Sequence, residues 1–219
     1  LLVSVRDADE AHAAVVGGAD IIDVKDPVAG ALGRARDTVM RDIAAAVAAV
    51  TPLSVALGEL HDSPAVPPVA AQWAKVGLAG CRTDAGWREA WLGLRSRLGG
   101  IDLVAVAYAD ADRAAAPAVA DVVAFACAHG VATLLIDTLV KDGTTLLDWL
   151  PPSELTALAA QVRDRGVALA LAGALRLELL HQVAGVADIV AVRGAACMGG
   201  RSGRVDAQRV RRLKLALGG

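Results

Sequence analysis

The chain has 219 residues, 55% hydrophobic and 21% charged, with a formal net charge of −2. That is enough apolar material for one sizeable core. No basic stripe points to nucleic acid, no apolar run is long enough to span a membrane, and no signal-peptide pattern opens the sequence.

Apolar runs with strand character alternate with helical runs. Leu1–Val5 reads as the first strand and Asp7–Val16 as a helix, stopped by Gly17-Gly18. Ala19–Lys25 is the second strand, and Asp37–Val50 is an Ala/Val-rich helix. Leu53–Gly58 is the third strand. His61–Gln72 carries Pro64, Pro67 and Pro68, so it holds a short third helix at best. Trp73–Leu78 is a strand and Asp84–Leu98 an amphipathic helix. Asp102–Ala109 is a strand and Pro117–His129 a helix with proline in its first turn. Thr133–Thr138 is a strand, followed by a helix over Ser153–Arg165 with an N-cap at its start. Ala168–Gly173 and Ala187–Arg193 are the last two strands, separated by a short helix over Leu175–Val183. Asp206–Leu217 closes the chain as a helix.

Continuous apolar strands between amphipathic helices indicate a parallel sheet covered on its outer face. Eight such units in one undivided stretch predict a single-domain (β/α)₈ TIM barrel over residues 1–219 with a reduced third helix. A doubly wound open sheet is the rival. It usually carries GxGxxG after its first strand, which is absent here.

Only four of the 22 basic residues are lysine: Lys25, Lys75, Lys141 and Lys214. Lysine, unlike arginine, can lose its proton and act as a nucleophile. Period-two alternation in ADIIDVKDP sends Ile22 and Val24 outward and Asp23 and Lys25 into the barrel mouth, where active sites of this fold lie. The same reasoning turns Lys75 of WAKVGL and Asp137 of LLIDTLVKDG inward, with Lys141 just beyond. Glu59, Tyr108, Asp110 and Asp112 also follow strand ends. Glycine-rich turns after strands seven and eight supply Gly173, Arg193 and Gly194 as candidate phosphate-binding residues. Gly199, Gly200 and Gly203 are weaker candidates.

The four histidines read as structural and Cys197 as packing. Cys81, Cys127 and Cys197 form neither a disulfide framework nor a CxxC pair, and no cluster has metal-ligand spacing. No metal or cofactor is expected, and the expected compartment is reduced cytoplasm. A lysine amine must be neutral to attack a carbonyl, and neighbouring cations with partial burial would lower its pKa. The chemistry expected is an imine-forming carbon–carbon bond reaction on a small phosphorylated carbonyl compound.

The motifs GGADIIDVKDP, GALG, KVGL, YADADR, DTLVKDG, LALAG and VRGAAC occur in this order from the first strand to the last helix. Together they resemble the (5-formylfuran-3-yl)methyl phosphate synthase family, also called 4-(hydroxymethyl)-2-furancarboxaldehyde-phosphate synthases. The resemblance implies a lyase that condenses two glyceraldehyde 3-phosphates into a furan aldehyde phosphate, a methanofuran precursor, with loss of phosphate and water. It implies a Schiff base on Lys25, with Asp23, Lys75, Asp137 and Lys141 at the family's other active-site positions. A homo-oligomer is expected. Two rivals remain: another class I aldolase, and a phosphosugar isomerase using Asp137 or Glu59 as base. A catalytically silent binding barrel is a third reading.

Overall fold

The computed structural model describes residues 1–47 and 50–219. Its eight main strands are β1 Leu2–Val5, β2 Ile21–Val24, β3 Leu53–Glu59, β4 Trp73–Gly77, β5 Asp102–Tyr108, β6 Thr133–Asp137, β7 Ala168–Leu171 and β8 Ile189–Val192. They close into a parallel barrel in chain order, with β8 beside β1. The closing seam is short. On one side it registers Leu2 with Ala191 and Val3 with Val192; on the other, Ala170 with Ile189 and Leu171 with Val190.

Side-chain alternation divides the apolar residues into two layers. Ile22, Val24, Val55, Val76 and Ile136 face outward and pack with the helices. Ile21, Ala56, Val104, Val106, Tyr108 and Leu135 fill the barrel interior. Helix α1, Ala8–Val16, starts where the Asp7 carboxylate accepts the Glu10 N–H. Helix α2 covers Asp37–Val47; of its expected span to Val50, Ala48 and Ala49 lie outside the described residues. The third helix is reduced to a single 3₁₀ turn, Leu60–Asp62, and the proline-rich stretch beyond it has no helix. Helix α3 is Trp87–Arg97.

Three local expectations change. The helix after β5 is split into α4, Ala111–Ala114, and α5, Val119–Ala128, so Pro117 precedes α5 instead of entering its first turn. Helix α6, Pro152–Arg163, has no side-chain N-cap. Pro152 occupies its first position, where a missing N–H costs nothing, and Ser153 falls inside the first turn. The segment after β7 is a 3₁₀ helix, Leu177–Gln182. After β8 a 3₁₀ turn, Gly194–Ala196, leads into a small hairpin that periodicity did not reveal: β9 Cys197–Met198 and β10 Arg204–Val205. Helix α7, Ala207–Ala216, follows with Asp206 as its N-cap.

Candidate active site

A cavity of about 620 Å³ opens at the C-terminal ends of the strands. Ser4, Lys25, Lys75, Asp137, Lys141, Gly173, Gly194 and Arg201 all line it. The three lysines expected to converge do so, while Lys214 lies outside on α7, paired with Asp20.

Asp23 and Lys25 sit at the end of β2, and both are buried. Asp23 Oδ2 accepts the Ser4 hydroxyl at 2.8 Å, a contact that follows from the pairing of Ser4 with Asp23 across β1 and β2. Asp23 Oδ1 lies 2.6 Å from Lys75 Nζ. Burial alone would raise the Asp23 pKa, but Lys75, Lys25 and the Ser4 bond together bring it below the usual carboxylate value.

Asp137 ends β6 and repeats the pattern. Its Oδ1 accepts the Thr138 N–H at 2.7 Å and Lys141 Nζ at 2.8 Å. Burial opposes its charge, yet Lys141, Lys25 and these bonds lower its pKa. Lys141 also donates to the Thr138 carbonyl at 2.6 Å. The loop carrying Lys141 is fixed from β5: the buried Asp110 carboxylate accepts the Leu139 and Val140 N–H groups at 2.7 and 2.9 Å.

Lys25 differs from its two companions. Its ammonium donates to the Ala31 carbonyl at 3.0 Å, and among the described residues no carboxylate lies within 4.0 Å of it. The loop that brings Ala31 into place folds back on itself, with Asp26 N–H bonded to the Gly33 carbonyl. A side chain at Gly33 would strike the Asp26 carbonyl, which accounts for the second glycine of GALG. The Lys25 pKa falls from 10.5 to about 7. Burial is the main cause. Asp137 and Asp23 pull the other way, and Lys75 and Arg201 add smaller downward contributions. Of the two causes expected, neighbouring cations and burial, burial is the larger.

Gly173, at φ +100°, packs so closely that an added Cβ would sit 3.0 Å from Leu146 Cβ. Ala174 follows at φ +52°. The backbone N–H groups of Gly173, Gly194 and Ala195 have no protein acceptor among the described residues, and all three residues line the cavity. Arg193 also borders it, but its guanidinium serves the scaffold. It pairs with the buried Glu10 at 2.9 Å and donates to the carbonyls of Ser4, Arg201 and Gly203.

Glu59 does not line the cavity. It accepts the Tyr108 hydroxyl at 2.7 Å and the Ala79 N–H at 2.9 Å. Burial, then Glu59, raises the Tyr108 pKa well above its ordinary value. Asp112 lies at the surface beside Arg82. Cys197 is buried, as packing requires, and all three cysteines are free. Among the described residues no group of His, Cys, Asp and Glu could hold a metal, and no helix is long and apolar enough to cross a membrane.

The model of the family described as 4-HFC-P synthase matches residues 1–214. The chain belongs to the 4-HFC-P synthase family. The family assignment makes the protein an enzyme with a synthase role. Similar relatives are the (5-formylfuran-3-yl)methyl phosphate synthases of Methanopyrus kandleri and Methanothermobacter thermautotrophicus. The first is 37% identical over 99% of this chain and 98% of the relative; the second is 34% identical over 98% and 97%. Solved structures agree on the barrel at much lower identity. A thiamine phosphate pyrophosphorylase from Pyrococcus furiosus matches with TM-score 0.65 and 12% identity, over 99% of this chain and 94% of that one. A phosphoribosyl anthranilate isomerase from Thermotoga maritima matches with TM-score 0.65 and 14% identity, over 100% and 98%.

Proposed function

We propose that this enzyme condenses two molecules of glyceraldehyde 3-phosphate into (5-formylfuran-3-yl)methyl phosphate through an imine on Lys25. The product named for the relatives supports the overall reaction. The observation that carries the choice of lysine is the isolation of Lys25. Lys75 and Lys141 each sit against a carboxylate, whereas Lys25 is buried without one and has a pKa of about 7. At neutral pH about half of such amines are uncharged, against roughly one in several thousand for a free lysine. A neutral amine is what carbonyl addition requires.

The remaining groups divide the work. Asp23 and Asp137, both ionised beside cations, move protons during carbinolamine dehydration, triose isomerisation and enamine formation. The enamine adds to the aldehyde of the second triose phosphate, forming the carbon–carbon bond. Elimination of one phosphate, ring closure and loss of two waters balance the two trioses against the furan product. Lys75 and Lys141 return protons and offset developing negative charge. The unpaired N–H groups of Gly173, Gly194 and Ala195 receive a substrate phosphate. In this reading the Arg193 side chain organises the cradle and does not touch the anion.

The test is incubation with glyceraldehyde 3-phosphate alone, with borohydride added to half of the sample. A furan aldehyde phosphate in the mass spectrum and a reduced adduct on Lys25 are expected. A linear sugar phosphate would identify a different imine aldolase, and turnover with no adduct on any lysine would rule out the imine.

A further inference from the structure

Two phosphates enter the cavity in this reaction, and one backbone cradle cannot hold both. We propose that Arg201 is the residue that binds the second substrate phosphate; this inference rests on the condensation of two phosphorylated trioses described above.

Arg201 is carried by the turn between β9 and β10, MGGRSGR, and it lines the same cavity as Lys25, Gly173 and Gly194. The turn is held by other arginines. Arg193 Nε donates to the Arg201 carbonyl at 3.0 Å, Arg6 Nη1 to the Ser202 carbonyl at 3.0 Å, and Arg193 Nη2 to the Gly203 carbonyl at 3.3 Å. Gly199 and Gly200 have φ of +79° and +78°, and a side chain at Gly203 would collide with the Met198 carbonyl. The glycines thus shape a turn that is fixed in place with Arg201 at its tip.

The guanidinium is half-buried and only partly used. Its Nη2 donates to the Gly30 and Pro27 carbonyls at 2.8 and 3.5 Å, and Nε and Nη1 have no protein acceptor among the described residues. Among the described residues no carboxylate lies within 4.0 Å of it. The other cations facing inward are accounted for: Lys75 by Asp23, Lys141 by Asp137, Arg193 by Glu10, and Lys25 by its role as nucleophile. Arg176, Arg209 and Arg212 are exposed at the edge. Among the described residues lining the cavity, Arg201 is the cation that combines partial burial with two nitrogens free to donate to phosphate oxygens. Through Nη2 it also holds the loop whose Ala31 carbonyl receives Lys25, so the anion and the nucleophile share one support.

Calorimetric titration of the wild type, Arg201→Gln and Arg201→Lys with inorganic phosphate tests the assignment. The wild type should bind two phosphates, Arg201→Gln one, and Arg201→Lys two with weakened affinity at one site. KM for glyceraldehyde 3-phosphate should rise about 10- to 100-fold in Arg201→Gln, the range for losing charge-assisted hydrogen bonds. Equal phosphate stoichiometry and affinity in wild type and Arg201→Gln would overturn the proposal. So would loss of phosphate binding in both variants together with their cooperative melting, which would mark a purely structural arginine. Borohydride trapping of the wild type reads the imine separately, so failure of the condensation chemistry is distinguished from failure of the phosphate assignment.

Discussion

Asp23 of β2 and Lys75 of β4 meet at 2.6 Å across β3 inside the barrel, and both are buried. A buried pair of this kind contributes little net stability, but removing one partner strands the other charge. Asp23→Ala should therefore lower unfolding free energy by about 3–5 kcal/mol, read by urea denaturation.

The same pair tunes Lys25 in opposite directions. Asp23 raises the Lys25 pKa and Lys75 lowers it, around a value of about 7. The acid limb of kcat/KM, or of borohydride trapping, should have its midpoint near pH 7 in the wild type. It should move to lower pH in Asp23→Asn and to higher pH in Lys75→Met. Displacements of the same sign in both variants would refute this electrostatic account.

Lys25→Met should abolish the adduct and stabilise the fold. The native pKa of Lys25 lies below its unfolded value, so the unfolded chain binds the extra proton between about pH 7 and 10.5. The penalty for burying the lysine is complete below pH 7 and vanishes as pH rises to 10.5. The stabilisation should accordingly reach a few kcal/mol, at about 1.4 kcal/mol per pKa unit, at neutral and acid pH and fade in alkali. Melting temperatures across that range provide the check.

Arg193 and Glu10 offer a double-mutant test of scaffold against ligand. Glu10→Leu alone should destabilise the protein by about 3–5 kcal/mol, because Arg193 would be left buried without a counter-charge. Adding Arg193→Met should recover much of that loss while raising KM, since the Arg201 turn loses its anchor.

Gly173→Ala combines a strained φ with crowding against Leu146 and Thr138. A cost of about 1–3 kcal/mol in thermal unfolding is expected, with a raised KM from displacement of the Gly173 N–H.

Much of this site could be read from the chain because strand geometry is local. Ile22 and Val24 face the helices, while Lys25 lines the cavity and Asp23 points into the barrel interior beneath it, bonded to Ser4 and Lys75. Arg193 was placed at the right rim, but its partner Glu10 lies 183 positions away, and no local pattern announces such a pairing. Arg201 was hidden for the same reason: a glycine-rich turn signals a bend, not what its tip reaches. The depth of burial around Lys25 depends on closure of all eight strands, so sequence suggested a lowered pKa without ranking its causes. The helix break before Pro117 and the start of α6 at Pro152 reflect local backbone choices that periodicity does not encode.

The short registers on both sides of β8 carry a consequence for how the barrel opens. Strands with longer ladders, such as β1 with β2, should hold their amide protons longest. Val190 and Val192 should exchange first among the barrel amides, because fewer neighbours must separate to free them. The N–H groups of Gly194 and Ala195, proposed above to receive a substrate phosphate, hang directly from this strand. A bound phosphate would therefore act as a clasp on the weakest stave, slowing exchange there more than anywhere else in the barrel.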